Sequence, residues 1–168
     1  MNLISSADLN WGIGKDGQLL FRVSADMQNV KRRTTGKIIV MGRNTYLSLP
    51  GGKPLPNRTH VVLSEVDDFG RDDILVCTDL EALRKTLRSF PSEDIFIFGG
   101  QSVYEQLLPY CDTAYITQFH ALKPHDTALP RLDRSPDWRL ENRSERHTEN
   151  GLEFSFDFYR RLGPPEVL

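Results

Sequence analysis

At 168 residues the chain is sized for one domain that buries roughly 70% of its unfolded surface. A formal net charge of −2 excludes a dominant nucleic-acid or polyanion surface. No apolar run approaches the ~20 residues that a membrane span requires, and MNLISSADLN lacks the basic n-region of a secretory signal, so a cytoplasmic location is expected.

The predicted elements follow in chain order. NLISSA reads as a first strand. The segment from Asp8 to Arg22, with Gly12, Gly14 and Gly17, reads as a glycine-rich loop, either a lid or a plain surface loop. RVSADMQNVKRRT opens a helix with Ser24 at the N-cap and Met27, Val30 and Thr34 at helical spacing. Its basic run Lys31-Arg32-Arg33, with Lys37, reads as a solvated face. Asp26 adjoins the apolar stripe; a first-turn acid complements the helix dipole, and the stretch alone asks for nothing more.

KIIVMG is a β-branched strand ended by Gly42, with a short helix from near Asn44. The loop LPGGKPLPN leads into the strand RTHVVLS. DILVC precedes the helix TDLEALRKTLRSF, where Thr78 can cap and Leu80, Leu83, Leu87 and Phe90 form the inward stripe. Then come the strand DIFIFGG, the helix QSVYEQLL stopped by Pro109, and the strand TAYITQF. This alternation predicts an α/β fold, a mainly parallel sheet of about eight strands with helices on both faces. Asn150-Gly151 between extended runs predicts an antiparallel C-terminal hairpin whose Leu152, Phe154, Phe156 and Phe158 lie on the core. Residues 1–162 form one domain on this reading, and 163–168 a loose tail.

Cys77 and Cys111 belong to no C-x-x-C pair and read as reduced structural thiols, which leaves the sequons at Asn57 and Asn142 without weight. The four histidines show no ligand spacing, and no metal is expected.

Two places repeat one design: IIVMGRNT and FIFGGQSVYE each run a buried strand into glycine and then a helix. Such turns either cradle phosphates of a dinucleotide or need glycine only for their backbone. Arg43 and Thr45 add a guanidinium and a hydroxyl to the first. Gly99-Gly100 suits a flat ring against the backbone, or an unusual peptide geometry.

The order of these pieces resembles the dihydrofolate reductase family over essentially the whole chain. The resemblance is carried by N-x-x-I-G at Asn10 to Gly14, SAD at Asp26, IIVMGRNTYLSL, PLPNR ending at Arg58, FGGQSVYEQLLP, YIT at Thr117, and HDTALP at Asp126-Thr127. It implies NADPH-dependent reduction of 7,8-dihydrofolate, with hydride to C6 and a proton to N5, supplying tetrahydrofolate for one-carbon metabolism. Asp26 then falls on the family's active-site carboxylate, Thr117 on the hydroxyl that fixes it, and Phe21 on a third catalytic position. Ile4, Ser5, Met27, Val30, Lys31, Leu49, Leu55 and Phe98 fall on the substrate walls, and Arg58 on the grip for the substrate's α-carboxylate.

On the cofactor side the resemblance implies Ser6, Ala7, Ile13, Gly14, Gly17, Gln18, Leu19, Gly42, Arg43, Asn44, Thr45, Leu63, Ser64 and Thr127. It adds Phe98, Gly99, Gly100, Gln101, Ser102, Val103 and Tyr104, and makes Arg43 beside Ser64 the grip on a 2′-phosphate. Its partners would be dihydrofolate and antifolate inhibitors, bound by a monomer. Three departures stand out. Leu20-Phe21 replaces the usual Pro-Trp and loses an indole N–H, Val30 replaces a common aromatic, and Phe98 replaces a smaller aliphatic and narrows the pocket. Two rivals are a reductase of the same fold acting on a pyrimidine of riboflavin synthesis, and a non-catalytic NADPH or folate binder.

Overall fold

The computed structural model describes residues 1–168. Its strands are β1 (Asn2–Ala7), β2 (Gly12–Lys15), β3 (Gln18–Leu19), β4 (Ile38–Gly42), β5 (Thr59–Leu63), β6 (Leu75–Cys77), β7 (Ile95–Gly99), β8 (Thr113–Phe119), β9 (Thr127–Ala128), β10 (Trp138–Arg143), β11 (His147–Glu149) and β12 (Leu152–Arg161). The helices are α1 (Ser24–Thr34), α2 (Arg43–Leu47), α3 (Leu80–Leu87) and α4 (Gln101–Leu107). The main sheet runs β10-β12-β8-β1-β7-β4-β5-β6, with β11 beside β12. From β8 to β6 the pairs are parallel, and β12 joins β8 antiparallel.

Successive strand residues point to opposite faces, and the core divides accordingly. Leu3, Val40, Val61 and Ile97 lie on one face with Leu83 and Leu87 of α3 and Val103 and Leu107 of α4. Ile4, Ile39, Met41, Val62 and Phe96 lie on the other with Tyr46 of α2 and Val30 of α1. Helices thus cover both faces, as the continuous apolar strands require. The carboxyl ends of β1, β4, β7 and β8 come together on one edge, where parallel sheets place their ligands.

Several local expectations are corrected. The glycine-rich segment is not a loop: β2 and β3 pair antiparallel, and β9 adds a third strand through Gly14 and Thr127. Helix α1 is not capped by Ser24. Extended Val23 holds the cap position, and the cap comes from Glu149, whose Oε2 accepts from the Ser24 N–H at 2.6 Å and whose Oε1 accepts from the Ser24 hydroxyl at 2.9 Å and the Ala25 N–H at 3.2 Å. In α3 the cap is Asp79, not Thr78; its carboxylate accepts from the Ala82 N–H at 2.7 Å. The basic cluster is only partly solvated, since Arg33 of α1 stacks over Tyr115 at 4.2 Å and Lys37, beyond the helix, pairs with Asp94 at 2.6 Å.

The hairpin turn is as expected, with Asn150 and Gly151 at φ of 53° and 75°. Its core face is as expected in part: Phe154 is buried, and Leu152 and Phe156 pack half-exposed against the same cluster. Phe158 is half-buried, and Ser155, Asp157 and Tyr159 on the opposite face are buried as well. Asp157 tolerates this because Arg143 binds it through both oxygens at 3.1 and 2.9 Å and Ser155 donates to it at 2.8 Å. The terminal six residues are tied down rather than loose: the Glu166 N–H donates to Pro109 O and Arg88 Nε to Leu168 O.

Candidate active site

Asp26 occupies the first turn of α1, where the helix meets the carboxyl end of β8. Thr117 of β8, 3% exposed, donates its hydroxyl to Asp26 Oδ1 at 2.7 Å. No cation pairs with this carboxylate, and Oδ2 has no hydrogen-bond partner within the chain. Burial holds the carboxyl above its ordinary range, and the Thr117 hydroxyl opposes that rise. A partly desolvated carboxylate with no cation partner can accept hydrogen bonds on its second oxygen, and its first-turn position also complements the helix dipole.

Five of the expected wall residues share one apolar cluster. Ile4 is buried, while Val30, Leu49, Leu55 and Phe98 pack half-exposed against Ile39, Met41 and Tyr46. Met27 is 61% exposed, and Lys31 is exposed on the same helix. At the far end of α1, Arg58 donates from Nε to Pro56 O at 3.0 Å and from Nη1 to Thr34 Oγ1 at 3.3 Å. It has no carboxylate partner, and partial burial lowers its pKa from the ordinary arginine value. Asp26 and Thr34 are eight residues apart, about 12 Å along the helix axis, so the Arg58 contact lies at the opposite end of α1 from Asp26.

The two glycine turns face each other because β4 and β7 are neighbours. A Cβ on Gly42 would stand 3.3 Å from Val103 Cγ2, and one on Gly100 would stand 3.5 Å from Thr45 Oγ1. Gly99 has φ of 120°, its peptide to Gly100 is cis, and a Cβ there would meet the Tyr104 ring at 3.1 Å. Tyr104 Oη in turn lies 2.7 Å from Ile4 O and 2.9 Å from Phe98 O, so one phenol proton joins the ends of β1 and β7. Burial pushes that phenol up, and it stays protonated. The glycines at 42 and 99 thus let the two strand-to-helix turns pack closely against Val103 and Tyr104 of α4.

The family model described as "Dihydrofolate reductase" matches residues 1–161. The chain belongs to the dihydrofolate reductase family. It is 34% identical to the "Dihydrofolate reductase" of Bacillus subtilis over 166 residues, covering 96% of this chain and 94% of the relative. It is 35% identical to that of Haemophilus influenzae over 140 residues (83% and 84%), and 30% identical to that of Staphylococcus haemolyticus over 164 (96% of each). The reaction of this reductase is the reduction of dihydrofolate to tetrahydrofolate. No helix of the protein is long and apolar enough to cross a membrane.

Not every expected residue of the reductase sits as foreseen. Phe21 lies in a separate aromatic cluster, stacked on Phe119 at 4.5 Å with Lys123 Nζ 4.7 Å over its ring. It carries no polar atom and serves as packing. Ala7 and Ile13 are buried in the main core, and Ser5 and Ser6 are half-exposed at the end of β1. Gly17, Gln18 and Leu19 are exposed at the tip of the β2–β3 hairpin. Gln101 accepts the Ala128 N–H at 2.9 Å and so links α4 to the strand of Thr127. Arg43 and Ser64 are each engaged elsewhere: Arg43 pairs with Asp68, and the Ser64 hydroxyl donates to Val66 O at 2.7 Å. Asn44 is exposed, Leu63 is half-buried, and Ser102 accepts from Gln106 on the outer side of α4.

Sequence reading missed three residues that hold the site in place. Fully buried Asp8 accepts from the Asn10 and Gly12 N–H groups at 2.8 and 2.9 Å and from the Lys123 N–H at 3.1 Å, joining the β1–β2 turn to the loop after β8. Lys123 also donates to Leu20 O at 2.8 Å. Buried His60 accepts the Leu55 N–H at 2.9 Å through Nε2, which requires the neutral ring; its Nδ1 faces Arg58 O at 3.2 Å. Burial lowers its pKa, so the ring remains neutral and braces the segment carrying Leu55 and Arg58.

Proposed function

We propose that this chain works as a cytoplasmic monomer that takes its hydride from NADPH and seats dihydrofolate between Asp26 and Arg58. A pterin presents an N–H and an NH₂ side by side, and one carboxylate accepts both in a bidentate pair. Asp26 makes that pair, with Thr117 fixing its orientation. The carboxylate's negative charge favours protonation at N5, which hydride addition at C6 needs; the proton itself arrives through water.

Ile4, Val30, Leu49, Leu55 and Phe98 exclude water around the ring system, and Arg58, bonded to Thr34 at the far end of α1, takes the anionic end. When bound, the reduced nicotinamide supplies the hydride. The protein's part is to hold it with the glycine turns at Gly42 and Gly99-Gly100, with Thr45, Val103 and Tyr104 shaping the cradle. The observation that carries this reading is the Asp26 carboxylate, bound to Thr117 on one oxygen and open on the other.

The test is the loss of reduced-nicotinamide absorbance when NADPH and dihydrofolate are mixed with the protein. Turnover with dihydrofolate, and an Arg58→Leu variant with KM raised about tenfold or more, is the expected result. Activity only with a pyrimidine substrate, or binding of both ligands without turnover, would sink it.

A further inference from the structure

The two nicotinamide dinucleotides differ at a single place, the adenosine 2′ oxygen, which carries a phosphate dianion in one and a neutral hydroxyl in the other. Arginine forks suit the phosphate, and carboxylates accept from the free ribose hydroxyls. Arg43 opens α2 directly after the Gly42 turn, and its fork is taken. Nη1 donates to Asp68 Oδ1 at 2.5 Å and Nη2 to Oδ2 at 3.1 Å, with the Phe69 ring 5.1 Å from the guanidinium carbon. The Ser64 hydroxyl, at the end of the neighbouring strand β5, is closed into a turn, donating to Val66 O at 2.7 Å and accepting from the Val66 N–H at 3.3 Å. The intervening stretch EVDDFGRDD, residues 65–73, sets five carboxylates against one arginine, and that Arg71 is itself paired with Asp73.

Resting on the cofactor groove assigned above, we propose that Asp68 sets the cofactor preference by occupying the Arg43 guanidinium, so that the enzyme accepts NADH alongside NADPH. A 2′-phosphate reaching Arg43 must break a bidentate pair and then lie beside the released Asp68 carboxylate. A free 2′-hydroxyl meets neither cost, and it can donate to that carboxylate. The phosphate therefore gains less here than an unpaired arginine would give it.

Two readouts test this on the full chain: calorimetric titration of the protein with NADP⁺ and NAD⁺, and kcat/KM with NADPH and NADH. The expected wild-type preference for the phosphorylated cofactor is about tenfold or less, and Asp68→Asn raises it by about tenfold, through tighter NADP⁺ binding and a lower KM for NADPH. In an Arg43→Gln background the Asp68 change gives no such gain. A wild-type preference of about a thousandfold, or an Asp68→Asn variant whose NADP⁺ affinity does not move, overturns the proposal, as does the same gain without Arg43. Should neither cofactor support turnover with dihydrofolate, the assigned reaction fails instead, and the titrations still decide the role of Asp68.

Discussion

The Asp26 carboxyl is pulled two ways: burial raises its pKa, and the Thr117 hydroxyl, 2.7 Å from Oδ1, lowers it. Thr117→Val keeps the side-chain shape and removes the donor that favours the charged form. The carboxyl of that variant is expected to titrate higher than in the wild type, as read by NMR of the labelled aspartate carboxyl carbon; coincident titrations would show that the hydroxyl does not govern it. The Asp26–Thr117 pair was legible because each residue sits in a short recognisable segment in the right order. His60 was not. In sequence it is one more residue of an apolar strand, and only the fold shows its ring accepting the Leu55 N–H. Asp8 escaped for a similar reason, since its partner Lys123 lies 115 residues away.

Elements were legible wherever neighbours in sequence decide them, and misread wherever a distant partner does. The strands, the short helices and the Asn150-Gly151 turn follow from local pattern. The β2–β3 hairpin needs β9 to complete it, and no local signal announces that pairing. Strand β12 buries Phe154 on the expected face, but also Ser155, Asp157 and Tyr159 on the other, because it lies inside the sheet, flanked by β8 and β10, where Asp157 is admissible once Arg143 pairs with it. Helix α1 makes the same point at its start. Its cap, Glu149, arrives from the terminal hairpin, 125 residues along the chain.

The bonds from Ser24 and Ala25 hold Glu149 below the ordinary glutamate range in the folded state. A depressed carboxyl contributes stability that is present above the unfolded value and lost as pH falls through the folded one. Glu149→Gln is therefore expected to unfold at lower urea concentration than the wild type at neutral pH, with the two midpoints converging in acid. Equal midpoints at neutral pH would mean that the carboxylate does not anchor the helix.

At the scale of the whole molecule, the sheet order brings scattered segments together. The ends of β1, β4, β7 and β8 meet on one edge, and α1 spans it from Asp26 to the Arg58 contact at Thr34. The two glycine turns were recognisable as a pair in sequence, and their facing positions follow from β4 lying beside β7. The contest for Arg43 was not recognisable, because nothing local says that the acid-rich stretch after β5 folds back onto that guanidinium.

The measurement that bears most directly on this account is the single-turnover rate of hydride transfer from NADPH to dihydrofolate, followed against pH for the wild type and Asp26→Asn. The account expects the variant to lose about a hundredfold or more at neutral pH and to recover toward acid, where the substrate can take its N5 proton from solvent without help from the carboxylate. A variant that transfers hydride at the wild-type rate at neutral pH would contradict it.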